Sequence, residues 1–237
     1  VVAGGSSINA ITGKGGEPGK DKAPAARWAM VLDPSKCLKA EGCTKCMLAC
    51  DKVHNVPVIP DPKHEVKWIW KQSFENAFPD QQDAYTAERF KDKPFVLFCN
   101  HCDNPPCVRV CPTKATFKRE DGIVMMDWHR CIGCRYCMAA CPYGSRSFNW
   151  VDPRPYIPEI TLAFPTRTKG VVEKCTFCEE RLAEGKGPAC AEACEEKAMV
   201  FGNLDDPKSE VRQLLNDRYS IRRKPELGTQ PEIYYLV

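Results

Sequence analysis

Cys131-Ile132-Gly133-Cys134-Arg135-Tyr136-Cys137-Met138-Ala139-Ala140-Cys141-Pro142 carries the spacing C-x2-C-x2-C-x3-C-P. Three thiolates on one tight loop can take three corners of a 4Fe-4S cubane, one soft sulfur per iron, and the fourth sulfur sits one helical turn beyond them. Working outward, the rest of the chain's sixteen cysteines fall into three more sets of four. Cys99, Cys102, Cys107 and Cys111 come before it, with one gap widened and the same terminal Cys-Pro in Pro112. Cys37, Cys43, Cys46 and Cys50 form the first set and Cys175, Cys178, Cys190 and Cys194 the last, with Asp51 and Glu195 where proline would stand. No cysteine is left over. The reading is four 4Fe-4S clusters, with about sixteen irons and sixteen acid-labile sulfides per chain.

Three other uses of cysteine compete. Disulfides would also consume an even number, but cysteines crowded two residues apart are poorly placed for structural bridges. Zinc is the better rival for the last set, where eleven residues separate Cys178 from Cys190 between two close pairs. A catalytic thiol or redox dithiol would leave the four-by-four arithmetic unexplained. A c-type haem needs C-x-x-C-H, which does not occur, and a Rieske centre needs two Cys-His pairs where Cys99-Asn100-His101 offers at most one. His101 is expected to be a hydrogen-bonding neighbour of Cys102, and His54, His64 and His129 to be structural or surface residues. The glycines between Gly13 and Gly19 do not make a phosphate loop. No nucleophile-and-base or paired-carboxylate arrangement is visible.

The 237 residues have a formal charge of +3 with every cysteine neutral. Four oxidised clusters with their thiolates would bring the holoprotein to about −5, so the basic sequence does not argue for a nucleic-acid partner. Arg109, Arg135, Arg146 and Lys174 lie near the cysteine runs, where solvated surface charge and tuning of cluster potential are equally good readings. No apolar stretch is long enough to cross a bilayer, so no transmembrane segment is expected. Residues 1–28 are read as a flexible lead, rich in Gly, Ser, Lys and Ala at its start, or as the remnant after a processed signal, and show no export signal. Metal ligation is expected to supply much of the folding free energy, leaving the apo-protein poorly folded.

Repetition organises the chain. Residues 115–119 and 123–127 read as a hairpin around Asp121-Gly122, and strand-like segments follow the third set at 145–150 and the fourth at 198–201. Each interval from third to fourth cysteine suits one helical turn. The repeated unit is a cluster loop, a short helix and a strand. Between the first two sets, residues 52–93 hold Trp68, Trp70, Phe74 and Phe78, expected to pack over a cluster. The proline-rich insertion 143–174 is expected to loop over the surface. The tail from 204 to 237 is either an added strand or a docking arm.

The stretches from Cys99 to Cys107 and from Asp127 to Cys137, with the order of the four sets, resemble the four-cluster iron-sulfur subunits of membrane respiratory oxidoreductases over residues 29–203. The resemblance implies an α+β chain of two fused bacterial-ferredoxin-like double-cluster domains in pseudo-twofold relation, plus loop insertions. Residues 94–142 would form the inner domain from the second and third sets, and residues 29–93 with 143–203 the outer domain from the first and fourth. In that family the fourth cysteine of a run crosses to the partner cluster. Carried over, one cluster takes Cys37, Cys43, Cys46 and Cys194, a second Cys99, Cys102, Cys107 and Cys141, a third Cys131, Cys134, Cys137 and Cys111, and a fourth Cys175, Cys178, Cys190 and Cys50. The wide gap from Cys37 to Cys43 and Glu195 depart from the family pattern and leave the geometry of the outer pair open.

The widened first set, His54-Asn55-Val56-Pro57 and Lys67-Trp68-Ile69-Trp70-Lys71 are more narrowly similar to the exported iron-sulfur subunit of the transmembrane complex associated with dissimilatory sulfite reduction. That implies a peripheral subunit on the periplasmic face. It would pass single electrons between a polytopic quinone-binding subunit and a multihaem cytochrome c or other redox subunit, with no catalytic site of its own. Two alternatives stay open, the electron-transfer subunit of a molybdopterin enzyme and a zinc-stabilised interaction module.

Overall fold

A computed structural model describes residues 26–91 and 93–237. Up to residue 25 the expected lead lies outside the described residues. Its last residues belong to the fold: Trp28 opens a strand, and Arg27 is ion-paired with Glu232.

The first half runs β1 (Trp28–Leu32), α1 (Pro34–Cys37), α2 (Lys45–His54), β2 (Ile69–Ser73), α3 (Phe74–Ala77), α4 (Ala84–Phe90), β3 (Pro94–Phe98), α5 (Pro106–Arg109), β4 (Thr116–Lys118) and β5 (Val124–Met126). The second runs α6 (Tyr136–Ala139), β6 (Ser147–Phe148), β7 (Val172–Glu173), α7 (Glu179–Ala183), α8 (Ala189–Glu192), β8 (Met199–Asn203), α9 (Glu210–Asp217), β9 (Ser220–Ile221) and β10 (Ile233–Leu236). The result is a mixed α and β chain of small sheets.

One sheet has the order β8-β1-β10-β9. Strand β1 reads Trp-Ala-Met-Val-Leu and is buried from Ala29 onward because both of its faces are covered. Met30 and Leu32 point into the main core, while Ala29 and Val31 meet Val211 of α9. Gly202 makes that packing possible, since a Cβ there would stand 3.1 Å from Val211 Cγ2. The tail is an added strand: β10 lies parallel to β1 with Met30 opposite Ile233 and Leu32 opposite Tyr235.

The remaining strands form antiparallel pairs, β2 with β3, β4 with β5 and β6 with β7. The β4–β5 hairpin turns at Gly122 with φ +82°, a conformation that costs glycine little. Residues 52–93 turn out mixed, with Trp70 in β2 and Phe74 opening α3. Phe74, Phe78, Phe90, Phe95 and Tyr235 form an aromatic core with neighbouring centroids 5.0–6.1 Å apart. Trp68 is buried against His54, their rings stacked 4.7 Å apart.

The insertion 143–174 departs from the expected surface loop. Tyr143, Ser145, Arg146, Asn149, Phe164 and Arg167 in it are buried. Arg167 forms a fully buried ion pair with Glu173 of β7, and its guanidinium also donates to the carbonyls of His54 and Asn55. Proline content marks breaks in regular structure, which exposed loops and the non-repetitive interior share.

Candidate iron-sulfur cluster sites

The cysteine loops repeat one local design. Lys114, Gly144 and Lys197, each three residues after the last cysteine of its set, are left-handed, and each amide donates back to that cysteine's carbonyl. This turn brings the Thr116 amide to 3.5 Å from Cys111 Sγ and the Ala198 amide to 3.3 Å from Cys194 Sγ. The first set departs from the design because α2 runs on to His54 and ends at left-handed Asn55. Other left-handed residues, His101, Arg135, Phe177 and Cys178, lie within the cysteine runs, the kind of backbone cost that accumulates at functional sites. Gly133 cannot be replaced without disruption, since a Cβ would stand 2.4 Å from the Gly170 carbonyl oxygen.

These loops bring cysteines from distant sets together. Cys37, Cys43, Cys46 and Cys194 line a cavity of ≈ 440 Å³. A second, tighter cavity is lined by Cys99, Cys102, Cys107 and Cys141, and a third by Cys111, Cys131, Cys134 and Cys137. Cys50 lies among Cys175, Cys190 and Cys178, all four buried. A zinc site of Cys175, Cys178, Cys190 and Cys194 is not assembled, because Cys194 faces the first cavity.

The donor chemistry fits iron-sulfur ligation. All sixteen thiols are free of disulfides. Burial first, then repulsion from Cys37, Cys194 and Cys43, pushes the Cys46 thiol up to about 11. Burial likewise raises Cys50, Cys102, Cys175 and Cys190 well above the ordinary thiol range. Cys111 goes the other way, because hydrogen bonds from Thr116, Thr113 and Ala115 outweigh burial. Bare thiols in such sites would keep their protons, whereas metal binding removes them and supplies the missing positive charge. The amides of Phe177 and Ala189 add hydrogen bonds to Cys175 and Cys178 sulfur at 3.4 and 3.3 Å.

His101 bonds elsewhere than expected. Its Nδ1 accepts from the Val124 amide at 3.2 Å, and its ring stacks on Phe177 at 3.9 Å. Burial, then Lys174 and Arg146, hold its pKa well below the ordinary value, so it is neutral. His54 contributes more than a structural histidine would. Its Nδ1 lies 2.9 Å from the Cys50 carbonyl oxygen and 3.5 Å from Cys50 Sγ, and its Nε2 lies 3.0 Å from Glu180. The signal available in the sequence was its place four residues after Cys50 on one helix face. Of the four basic residues near the runs, Arg146 and Lys174 are buried, while Arg109 and Arg135 are exposed.

The 4Fe-4S dicluster domain family matches residues 93–154 and 158–204. An iron-sulfur subunit 1 of an Hdr-like menaquinol oxidoreductase from Archaeoglobus fulgidus is 43% identical over 231 residues, covering 88% of this chain and 82% of the relative. The iron-sulfur cluster-binding subunit of a menaquinone reductase from Nitratidesulfovibrio vulgaris is 38% identical, covering 89% and 88%. The arsenate respiratory reductase iron-sulfur subunit of a Shewanella species is 36% identical, covering 89% and 96%. No helix among the described residues is long and apolar enough to cross a membrane. With sixteen cysteines for four 4Fe-4S clusters, the chain belongs to the family of ferredoxin-type iron-sulfur electron-transfer subunits of membrane-associated oxidoreductases.

Proposed function

We propose that the sixteen cysteines hold their clusters crosswise, as Cys37/Cys43/Cys46/Cys194, Cys50/Cys175/Cys178/Cys190, Cys99/Cys102/Cys107/Cys141 and Cys111/Cys131/Cys134/Cys137, forming a relay in that order. The supporting observation is the adjacency of neighbouring groups: Cys46 acts on Cys190, Cys99 on Cys175, and Cys107 on Cys137. Exposure agrees with that order. The two end groups each have three half-buried cysteines, whereas the second group is fully buried and the third exposes only Cys141 in part. The clusters supply one-electron outer-sphere chemistry, and the protein's amides, burial and charges set where the electron rests.

Residues 94–142 form the inner unit and residues 29–93 with 143–203 the outer one. A pseudo-twofold relation is supported by the strand pairs: β1–β8, flanking the first and fourth sets, corresponds to β5–β4, flanking the third and second. The β2–β3 pair corresponds to β6–β7 in the same way.

The chain carries single electrons between a polytopic quinone-interacting subunit and a multihaem cytochrome c or similar redox subunit, peripherally on the periplasmic face, in sulfur-based respiration. Relatives named for menaquinol and menaquinone support the quinone side. A second reading, the electron-transfer subunit of a molybdopterin oxidoreductase, draws support from relatives named for arsenate and tetrathionate reductases.

Mass spectrometry of the complex copurified anaerobically from native membranes decides between them. A polytopic subunit with a cytochrome is expected, and a large molybdopterin subunit would replace the first reading by the second. The grouping has its own test in iron counts. Cys43→Ala with Cys194→Ala is expected to lose about four irons of sixteen, and Cys178→Ala with Cys194→Ala about eight. The reverse pattern would sink the crossing.

A further inference from the structure

Four lysine and arginine side chains are buried among the described residues: Arg146, Arg167, Lys174 and Arg223. Arg167 has its carboxylate, Glu173, at 2.7 Å. Among the described residues the other three have none within ion-pair distance. Their hydrogen bonds go to neutral acceptors, the Met126 sulfur at 3.8 Å from Arg146 among them. Arg146 donates to Thr116 Oγ1 at 3.1 Å, Lys174 to the carbonyls of Val124 and of Cys175 (2.6 Å), and Arg223 to the Ala77 carbonyl at 3.1 Å. One terminal nitrogen each of Arg146 and Arg223 has no partner of ordinary geometry. A buried cation without counter-charge is too costly to keep, so something negative must face these groups in the working protein.

What faces them is sulfur, and mainly one group of it. Arg146 lines the cavity of Cys99, Cys102, Cys107 and Cys141, and its charge acts on the Cys107 and Cys137 thiols. The Lys174 charge acts on Cys175 and Cys107, and the Arg223 guanidinium is close enough to Cys141 to interact with it. At the other groups the cations are paired with carboxylates or only half-buried. Lys45 lines the cavity of Cys37, Cys43, Cys46 and Cys194 with Glu196 and is paired with Glu195, half-buried Lys71 acts on Cys37, and beside Cys50 His54 has Glu180 at 3.0 Å while Asp51 acts on Cys50.

We propose that Arg146, aided by Lys174, is the buried counter-charge of the cluster held by Cys99, Cys102, Cys107 and Cys141, and makes it the highest-potential centre of the relay. This rests on the cysteine grouping proposed above. In a transfer to this centre a neighbouring cluster gives up one electron and this one gains it, with no proton moved and no bond made or broken. Arg146 and Lys174 stabilise the added negative charge where water is excluded and each charge acts more strongly than in solvent. They are positioning charges outside the ligand set.

The test is an EPR-monitored redox titration of the anaerobically purified holocomplex. Arg146→Met is expected to keep about sixteen irons and to lower the equilibrium for reducing the highest-potential centre at least tenfold, 59 mV for a one-electron couple. Arg146→Lys, which keeps the charge, shifts it less, and the exposed control Arg109→Met leaves every midpoint in place. A highest midpoint that stays put in iron-replete Arg146→Met overturns the proposal. Should Arg146→Met load less iron, Lys174→Met is judged by the same criterion, and an unmoved highest midpoint there overturns it equally. Cys141→Ser identifies the centre. If it alters a signal other than the one Arg146→Met shifts, the cysteine grouping falls and the charge effect belongs to another cluster; if both alter the same signal, both readings hold.

Discussion

Replacing Glu173 by glutamine strands the Arg167 guanidinium in the core with no counter-charge. Both side chains are fully buried. One Glu173 oxygen accepts from Arg167 Nε at 2.8 Å, from its terminal nitrogen at 2.7 Å and from Trp68 Nε1 at 2.9 Å, and the other accepts from Asn149. Arg167 lies 5.5–5.9 Å from the ring centres of Trp68, Trp128 and Phe164, so no water replaces the lost charge. Glutamine keeps the shape and some acceptor capacity, which makes the change chiefly electrostatic. Breaking a buried pair by removing one partner costs about 3–5 kcal/mol, or roughly two to three and a half decades in the folding equilibrium. Cluster loss makes unfolding irreversible, so the assay is the rate of bleaching of the visible cluster absorbance at fixed guanidinium concentration under anaerobic conditions. The rate should rise between roughly tenfold and a thousandfold, according to how much of the pair is already broken in the unfolding transition state. Adding Arg167→Met removes the second charge while the introduced glutamine amide still accepts from the Trp68 indole, and should recover most of the loss. A single variant that bleaches less than twofold faster, or a double variant no slower than the single, would refute the reasoning.

Gly133→Ala, which puts a Cβ against the Gly170 carbonyl, should lose about four irons, whereas Gly122→Ala, where nothing lies within 4 Å, should keep its full complement; iron analysis separates them. Truncation before Ile233 removes the strand between β1 and β9 and exposes the paired edge of β1, so the shortened chain should aggregate or fail to load iron, as seen by size-exclusion chromatography. Burial holds the Glu232 carboxyl above its ordinary value despite Arg27. The folded chain therefore binds that proton more readily than the unfolded one, and stability falls as pH rises through the window just above the ordinary carboxylate value; Glu232→Gln should flatten that slope in bleaching rates measured against pH. Removing iron by oxidation and chelation should abolish near-ultraviolet circular dichroism, because the sulfur-lined cavities lose what holds their loops together.

Much of the site was legible in the chain because ligation is local chemistry. A soft donor every few residues on a tight turn declares the metal class and the loop that wraps it, and the Asp121-Gly122 turn declared its hairpin through backbone sterics alone. His54 was legible only in part. Its position four residues after Cys50 follows from the helix, but its approach to Glu180, 126 residues away, does not.

What the sequence by itself determined was the set of sixteen sulfurs, their loops and the repeated cluster unit, all of which depend on short stretches of chain. The tertiary structure alone decided which buried charge meets which partner. Arg146 and Arg109 look alike as residues near cysteine runs, yet one is sealed among sulfurs and the other is in water. The same holds for β10, which its sequence leaves open between an added strand and a docking arm until it is found beside β1, about two hundred residues earlier. Burial and long-range pairing are properties of the packed chain as a whole, since the energy of a charge or a strand edge depends on what excludes water from it, and no local stretch carries that information.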